Sequence, residues 1–351
     1  MLVLPSIPYA PSRQNFAPGS GPDRSAFFQA LAAHGVDVDL LDPTGFPLNP
    51  LAGKHPLLQS FDPYRTLTVL LGRRDYDLVL SGNEGAAVLL VLLRRWFRFR
   101  TPILIWDLSP ATQWRWRARL QDYILPKVDG ILALTSIQES YVAQRWGSHI
   151  PVHMVGWFVD TEFYQPAAES NGDCVLSVGE DAGRDFATLL DAVADLAVPI
   201  RIRTSVPWVL DPVKHRHVEI IRDRLPAIDF RSLYANSRFI VLPLLPDRRN
   251  ASGVNALLES AAMGKAAIVS DSDGIRDFMI PGETCLVVPG LDAGALRAAI
   301  ERLYNEPETC ARLGRNARRF VDERFSAEPA ACRFVEALRT CVAKKSKMLA
   351  G

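Results

Sequence analysis

Short apolar runs of the length that fills a buried strand recur along this chain, and longer stretches with helical spacing separate them. VDVDLLD (36–42), DLVLS (77–81), PILIWD (102–107) and GILALT (130–135) form one series behind an apolar start, MLVLP. CVLSVG (174–179), IRIRT (200–204), FIVLPLL (239–245), KAAIVSD (265–271) and TCLVV (284–288) form a second. Strands alternating with helices predict a parallel sheet covered on both faces. The alternation occurs twice, and 351 residues exceed what a single core usually holds. The expected fold is therefore α/β, with two Rossmann-like doubly wound domains facing a central cleft. YQPAAESNGD (164–173) reads as the linker. The expected boundaries are 1–165 and 166–335, with 336–351 as a helix end and basic tail.

In open sheets of this kind ligands sit beyond the carboxyl ends of the strands. The residues there include Gly19 and Gly21, Asp107, Gly179 to Arg184, the 246–252 stretch and Asp271 to Gly274. The segment NASGVNALLESAAMG (250–264) is the most informative. Read as a helix from 252, it places Val254, Leu257, Leu258 and Ala261 on one buried stripe. Ser252, Asn255 and Glu259 share another stripe, with Ala256 and Ala262 beside them to let a flat ligand lie close. The turn of small residues before the helix offers free N–H groups and a dipole end that suit a phosphate. Glu259 lies about 10 Å further on, within reach of a ribose whose diphosphate rests on the helix start.

Composition narrows the classes. A net charge of +1 excludes the strongly basic footprint of a general nucleic-acid binder, so none is expected as a partner. Five scattered cysteines without paired spacing suggest neither a disulfide framework nor a zinc site, and the protein is expected to be cytoplasmic. The longest apolar run, AAVLLVLL (86–93), falls short of the roughly 20 residues that cross a bilayer. DSD (271–273) ends a buried strand and reads as a turn and helix cap, and His215 and His217 lack a third ligand nearby. No metal or cofactor is expected.

KVDGILALTSIQESYVAQRWG (127–147), VLSVGEDAGRDFATLLDAV (175–193) and SGVNALLESAAMGKAAIVSDSDGIRDFMIPGETCLVVPG (252–290), in this order, resemble retaining glycosyltransferases of the GT-B fold. The resemblance is to glycosyltransferase family 4 and covers residues 125 to 325. It implies a first domain that binds the acceptor and a second that binds a UDP- or GDP-sugar as co-substrate. Of the family's two acids spaced E-x7-E, Glu259 matches the ribose-binding second, while Ala251 stands at the first. Of the basic pair on the donor phosphates, Glu180 occupies one position and Arg184 supplies the other. Trp106 stands where the family carries a histidine, with Asp107 next to it.

Breaking a glycosyl–phosphate bond puts charge on the departing diphosphate, which cations and helix amides must stabilise. Arg184, Arg248, Arg249, Ser252 and Gly253 are the candidates, and Gly179, Val254, Asn255 and Glu259 complete the expected donor site. Arg184 is the expected catalytic cation. Retention needs no side-chain nucleophile, whereas Asp107 acting as a base would imply inversion. Gly19 and Gly21 are expected on the acceptor side. RRWFRFR (94–100) and WRWRARL (114–120) interleave arginine with aromatics, which fits an anionic membrane surface and a glycan or lipid-linked acceptor at the inner face. Two other readings are a nucleotide-sugar 2-epimerase of the same fold and a non-catalytic nucleotide-sugar binder.

Overall fold

The computed structural model describes residues 1–4, 24–41, 62–72, 76–108, 110, 115–166, 172–246 and 251–350. The chain folds as two compact units: residues 1–17, 27–156 and 330–351 form the first, and residues 18–26 and 157–329 form the second.

The first unit is built on six parallel strands: β1 (Leu2–Leu4), β2 (Asp39–Leu40), β3 (Val79–Ser81), β4 (Ile103–Trp106), β5 (Gly130–Ala133) and β6 (Val152–Met154). Their order is β2-β1-β3-β4-β5-β6. β3 and β5 are buried along their whole length and β4 as far as Ile105, as a sheet covered on both faces requires. Around it lie helices α1 (Arg24–Ala33), α2 (Pro63–Leu71), α3 (Glu84–Leu93), α4 (Arg115–Ile124) and α5 (Ser136–Trp146). Local chemistry sets where they begin and end. Asn83 caps α3 by accepting from the Ala86 N–H at 3.0 Å, and Thr135 caps α5 through Gln138. Gly147, at φ +59°, stops α5.

In the second unit β7 (Cys174–Val178), β8 (Ile200–Arg203), β9 (Val218–Ile221), β10 (Ser237–Leu242), β11 (Ala267–Ser270) and β12 (Leu286–Val288) run parallel in the order β12-β11-β10-β7-β8-β9. The chain reverses its direction of travel across the sheet between β7 and β10. This switch point is where such folds bind ligands. Helices α6 (Phe186–Val193), α7 (Ala227–Ala235), α8 (Val254–Ala262), α9 (Ala293–Asn305) and α10 (Pro307–Arg324) cover the two faces. Alternation within a strand sorts side chains between them. Ile240 and Leu242 of β10 join the core under α8, while Phe239 and Val241 join the one under α6 and α9.

The final helix, α11 (Ala327–Ala350), carries the chain back to the first unit, to which residues 330–351 belong. Phe334 is 2% exposed and packs edge-on to Phe27 at 5.4 Å and to Trp106 at 5.2 Å. Trp106 is thus part of a three-ring cluster within its own unit, which accounts for an aromatic residue at the end of β4.

Two strands, β6 and β9, were not foreseen in the apolar pattern. Both are outermost in their sheets and only partly buried, so selection for apolar residues is relaxed there. β2, also an edge, spans two residues of the seven expected to be extended. The 164–173 stretch, read as linker, begins with Tyr164, which is 4% exposed in the core of the second unit. Among the described residues no helix is long and apolar enough to cross a membrane.

Candidate functional site

The crevice at the end of β7 and β10 is built by three segments. The first, Gly179 to Asp185, leaves β7 and returns an arginine toward β10, where Arg184 forms an isolated bridge with Leu244. The Arg184 side chain is 5% exposed. It fits only because Gly179 has no side chain: a methyl group there would lie 2.1 Å from Arg184 Nε. Nε donates to Asp181 Oδ2 at 3.2 Å, and Nη1 is buried without a partner among the described residues. Burial lowers the Arg184 pKa against the opposing pull of Asp181.

The second segment is the turn into α8. The helix starts at Val254, two residues later than the spacing predicts, because Gly253 holds a left-handed conformation at φ +83° as its N-cap. A methyl group at Gly253 would approach Arg184 Nη1 to 3.1 Å. Glycine is needed here both for the backbone and for the space. The unpaired guanidinium nitrogen therefore faces the head of a nine-residue helix, whose first-turn N–H groups have no intrahelical acceptor. Ser252 Oγ donates to Asp181 Oδ1, and the Gly183 N–H donates to the same oxygen at 2.8 Å.

The third segment is α8 itself. Val254, Leu257, Leu258 and Ala261 are buried as the stripe requires. Ala256 and Ala262 are buried too and belong to the core, so they do not form a flat bed beside Glu259. Val254, also in the core, can offer a ligand only its backbone, whereas Asn255 is exposed. Glu259 is partly buried, and its Oε2 accepts a hydrogen bond from Tyr234 Oη at 2.9 Å. Tyr234 is wholly buried, and Tyr164 packs edge-on to it at 6.2 Å. Burial first, and then the Glu259 charge, push both phenols well above their ordinary range, so both remain protonated donors around the carboxylate. The carboxylate is held from beneath while its helix runs on from the cationic head. Neither tyrosine is apparent as a site residue in the sequence, because each meets Glu259 only through tertiary packing.

Beside this site Glu180 forms an ion pair with Arg203, which is 7% exposed at the end of β8 and also reaches the Asp223 carbonyl at 3.2 Å. The acid at a position where the family resemblance implies a base is thus compensated from the next strand. Asp271 and Asp273 both pair with Arg276, at 2.8 and 2.7 Å, so the DSD triplet is engaged in its own turn. His215 is engaged likewise, between the Asp211 N–H and the Leu190 carbonyl.

In the first unit Asp107 follows β4 at φ +65° and accepts from Gln138 Nε2 at 2.9 Å. Burial raises its pKa, only partly offset by that hydrogen bond. Nearby, Glu84 at the start of α3 is buried and paired with Arg117. Of the arginines in the two basic-aromatic stretches, Arg94 is tied to Asp129 and Arg117 to Glu84. Trp96 between them is 86% exposed, beside exposed Arg95, Phe97 and Arg98. Gly19, Gly21, Arg248 and Arg249 lie outside the described residues.

Comparison with known proteins bears on the fold and the class. The family described as Glycosyl transferases group 1 matches residues 204–306, less than a third of the chain but including α7, α8 and Glu259. EpsD of Bacillus subtilis (strain 168), a glycosyltransferase by name, is 35% identical over 71 residues; these are 20% of this chain and 18% of EpsD. The match thus spans under a fifth of that relative. Among solved structures, sucrose-phosphate synthase from Thermosynechococcus elongatus superposes with a TM-score of 0.73 at 20% identity, covering 98% of this chain and 99% of the other. Anabaena HepE in complex with UDP gives 0.68 at 15% identity, covering 97% and 99%. Likeness over the whole length at such low identity shows a shared fold, the two-Rossmann GT-B architecture of glycosyltransferases.

Proposed function

We propose that this protein transfers a sugar from a nucleotide-sugar donor, a UDP- or GDP-sugar, to an acceptor hydroxyl, with retention and without a metal or other cofactor. One observation carries the reading: a buried guanidinium with a nitrogen unpaired among the described residues faces the head of α8, and the same helix holds a tyrosine-anchored carboxylate six residues on. At 1.5 Å per residue this separates the two by about 9 Å, which suits a diphosphate followed by its ribose. Arg184, Ser252 and the N–H groups behind Gly253 take the phosphate charge that grows as the glycosyl bond breaks. Glu259 accepts from the ribose hydroxyls. Arg248 and Arg249, directly before this turn, add cations to the same diphosphate. In a retaining transfer the leaving phosphate oxygen receives the acceptor proton, so the loss of the family's first acid at Ala251 is compatible with turnover. The glycosyl transferases group 1 match supports the class, and HepE, solved with UDP-glucose, supports a nucleotide-sugar donor.

The test is thermal unfolding with UDP, GDP, ADP or CMP, with and without EDTA, for the wild type and Glu259→Ala. A selective, EDTA-insensitive rise that the variant loses is expected, since a ligand at about 100 times its dissociation constant adds about 2.7 kcal/mol. No rise with any nucleotide would remove the donor site. A second reading, a nucleotide-sugar binder without turnover, is favoured by Ala251 and by Trp106 being locked between Phe27 and Phe334. It predicts nucleotide affinity without product across an acceptor panel.

On the acceptor side, Trp96 and its flanking arginines suit the headgroup layer of an anionic membrane, placing the enzyme peripherally at the cytoplasmic face with a glycan or lipid-linked acceptor. Gly19 and Gly21 belong to the acceptor side in this reading, and Asp107 serves as the base only if the reaction inverts. Sedimentation with phosphatidylglycerol vesicles at low salt checks the membrane contact. Binding that weakens in Trp96→Ala supports it, and no binding disposes of it.

A further inference from the structure

The groups assembled for a phosphate are not idle in this structure. Asp181 occupies them. Its Oδ1 accepts from Ser252 Oγ and from the Gly183 N–H, and its Oδ2 accepts from Arg184 Nε. A hydroxyl, a backbone amide and a guanidinium converging on one small anion are the donor set a phosphate oxygen would meet. The set is also left incomplete: Arg184 Nη1, on a side chain 5% exposed, points toward Gly253 with no acceptor among the described residues, so the guanidinium retains capacity for a second anionic oxygen at the helix head.

We propose that Asp181 is a resident anion of the donor-phosphate site, a carboxylate that substitutes for the phosphate when the site is empty and is displaced from Ser252 and Arg184 when a diphosphate enters. The physical argument is exclusion. Two anions cannot both take the Nε side of one guanidinium and the single Ser252 hydroxyl at contact distance without repulsion in a partly buried crevice. Asp181 can leave where Arg184 cannot, because its side chain is 48% exposed. Burial works against its ionisation, but the Ser252 hydroxyl, Arg184 and the Gly183 N–H outweigh it and hold the carboxyl below its usual range. It is therefore a full negative charge at neutral pH. Its effect is to keep Arg184 partly neutralised without a ligand and to make every diphosphate compete for the site, which lowers affinity and hastens release. The inference rests on the donor-site reading above and adds a residue that sets its affinity.

The experiment is calorimetric titration of inorganic pyrophosphate and of UDP into the wild type, Asp181→Asn and Asp181→Ala. Asparagine keeps an oxygen for the Gly183 N–H and Ser252 and removes the charge together with the acceptor for Arg184 Nε, so it decides the matter if alanine destabilises the loop. Both probes are expected to bind the asparagine variant at least about tenfold more tightly than the wild type, and the gain is expected to vanish in Asp181→Asn/Arg184→Gln. Equal or weaker binding by Asp181→Asn would overturn the inference: Asp181 would then stay in place and orient Arg184, and wild-type UDP binding would leave the proposed function intact. Binding of neither probe to any of the proteins would overturn both.

Discussion

Replacing Tyr234 by phenylalanine removes one oxygen atom and tests whether Glu259 is held as described. The ring is wholly buried and fixed by Phe230 at 5.5 Å and Tyr164 at 6.2 Å, so the phenol cannot swing to water. Its hydrogen bond to the carboxylate, at 2.9 Å, involves a charged acceptor, for which about 1.5–3 kcal/mol is typical. Glu259 is only partly buried, and solvent can replace part of the interaction, which places the expected value at the lower end, about 1.5 kcal/mol. The assay is a double-mutant cycle of Tyr234→Phe and Glu259→Ala by urea unfolding, which separates the pair from whatever else each side chain contributes. A coupling near 1.5 kcal/mol is expected, together with UDP binding weakened about fivefold in Tyr234→Phe as the carboxylate loses its orientation. Coupling under about 0.3 kcal/mol, with unchanged nucleotide affinity, would refute the claim that Tyr234 positions Glu259.

Asp107 gives a pH prediction with a definite sign. Its folded pKa is raised, chiefly by burial, so between the unfolded value of about 3.9 and the raised one the folded state holds more protons, and stability falls as pH rises through that window. Asp107→Asn tolerates φ +65°, keeps an acceptor for Gln138 and removes that slope. Unfolding free energies measured from pH 4 to 8 are expected to show the variant more stable than the wild type at pH 7; a less stable variant with an unchanged slope would refute this. Phe334→Ala opens a cavity against Trp106 and Phe27 and is expected to cost about 3–5 kcal/mol, read by urea unfolding. A loss under about 1 kcal/mol would mean that the last helix does not pack into the core of the first unit.

Periodicity was enough for the architecture. Alternating apolar runs and helical stripes specify a parallel sheet covered on both faces, because buried strands must be apolar throughout, and the repetition of the series specifies two such sheets. The central strands were legible for that reason. The edge strands β6 and β9 were not, because a partly solvated strand tolerates polar residues. The stripe of α8 was likewise legible, down to Val254, Leu257, Leu258 and Ala261, and it singled out Glu259 as an acid on a mostly buried helix.

Tertiary structure decided what surrounds those residues. Arg184 was visible as a basic residue after β7, but its burial follows from Gly179 and Gly253 closing on it from two segments some seventy residues apart. The partners of Glu259 come from α7 and from a stretch that reads as linker, since Tyr164 carries no local signal of its burial. Compensation of Glu180 by Arg203 and engagement of Ser252 by Asp181 depend equally on contacts between segments. The physical reason is range. Backbone geometry and solvent exclusion act along neighbouring residues and leave a period in the sequence. Charges and hydrogen bonds act across space, between residues whose separation along the chain is arbitrary, and only the folded chain brings them together.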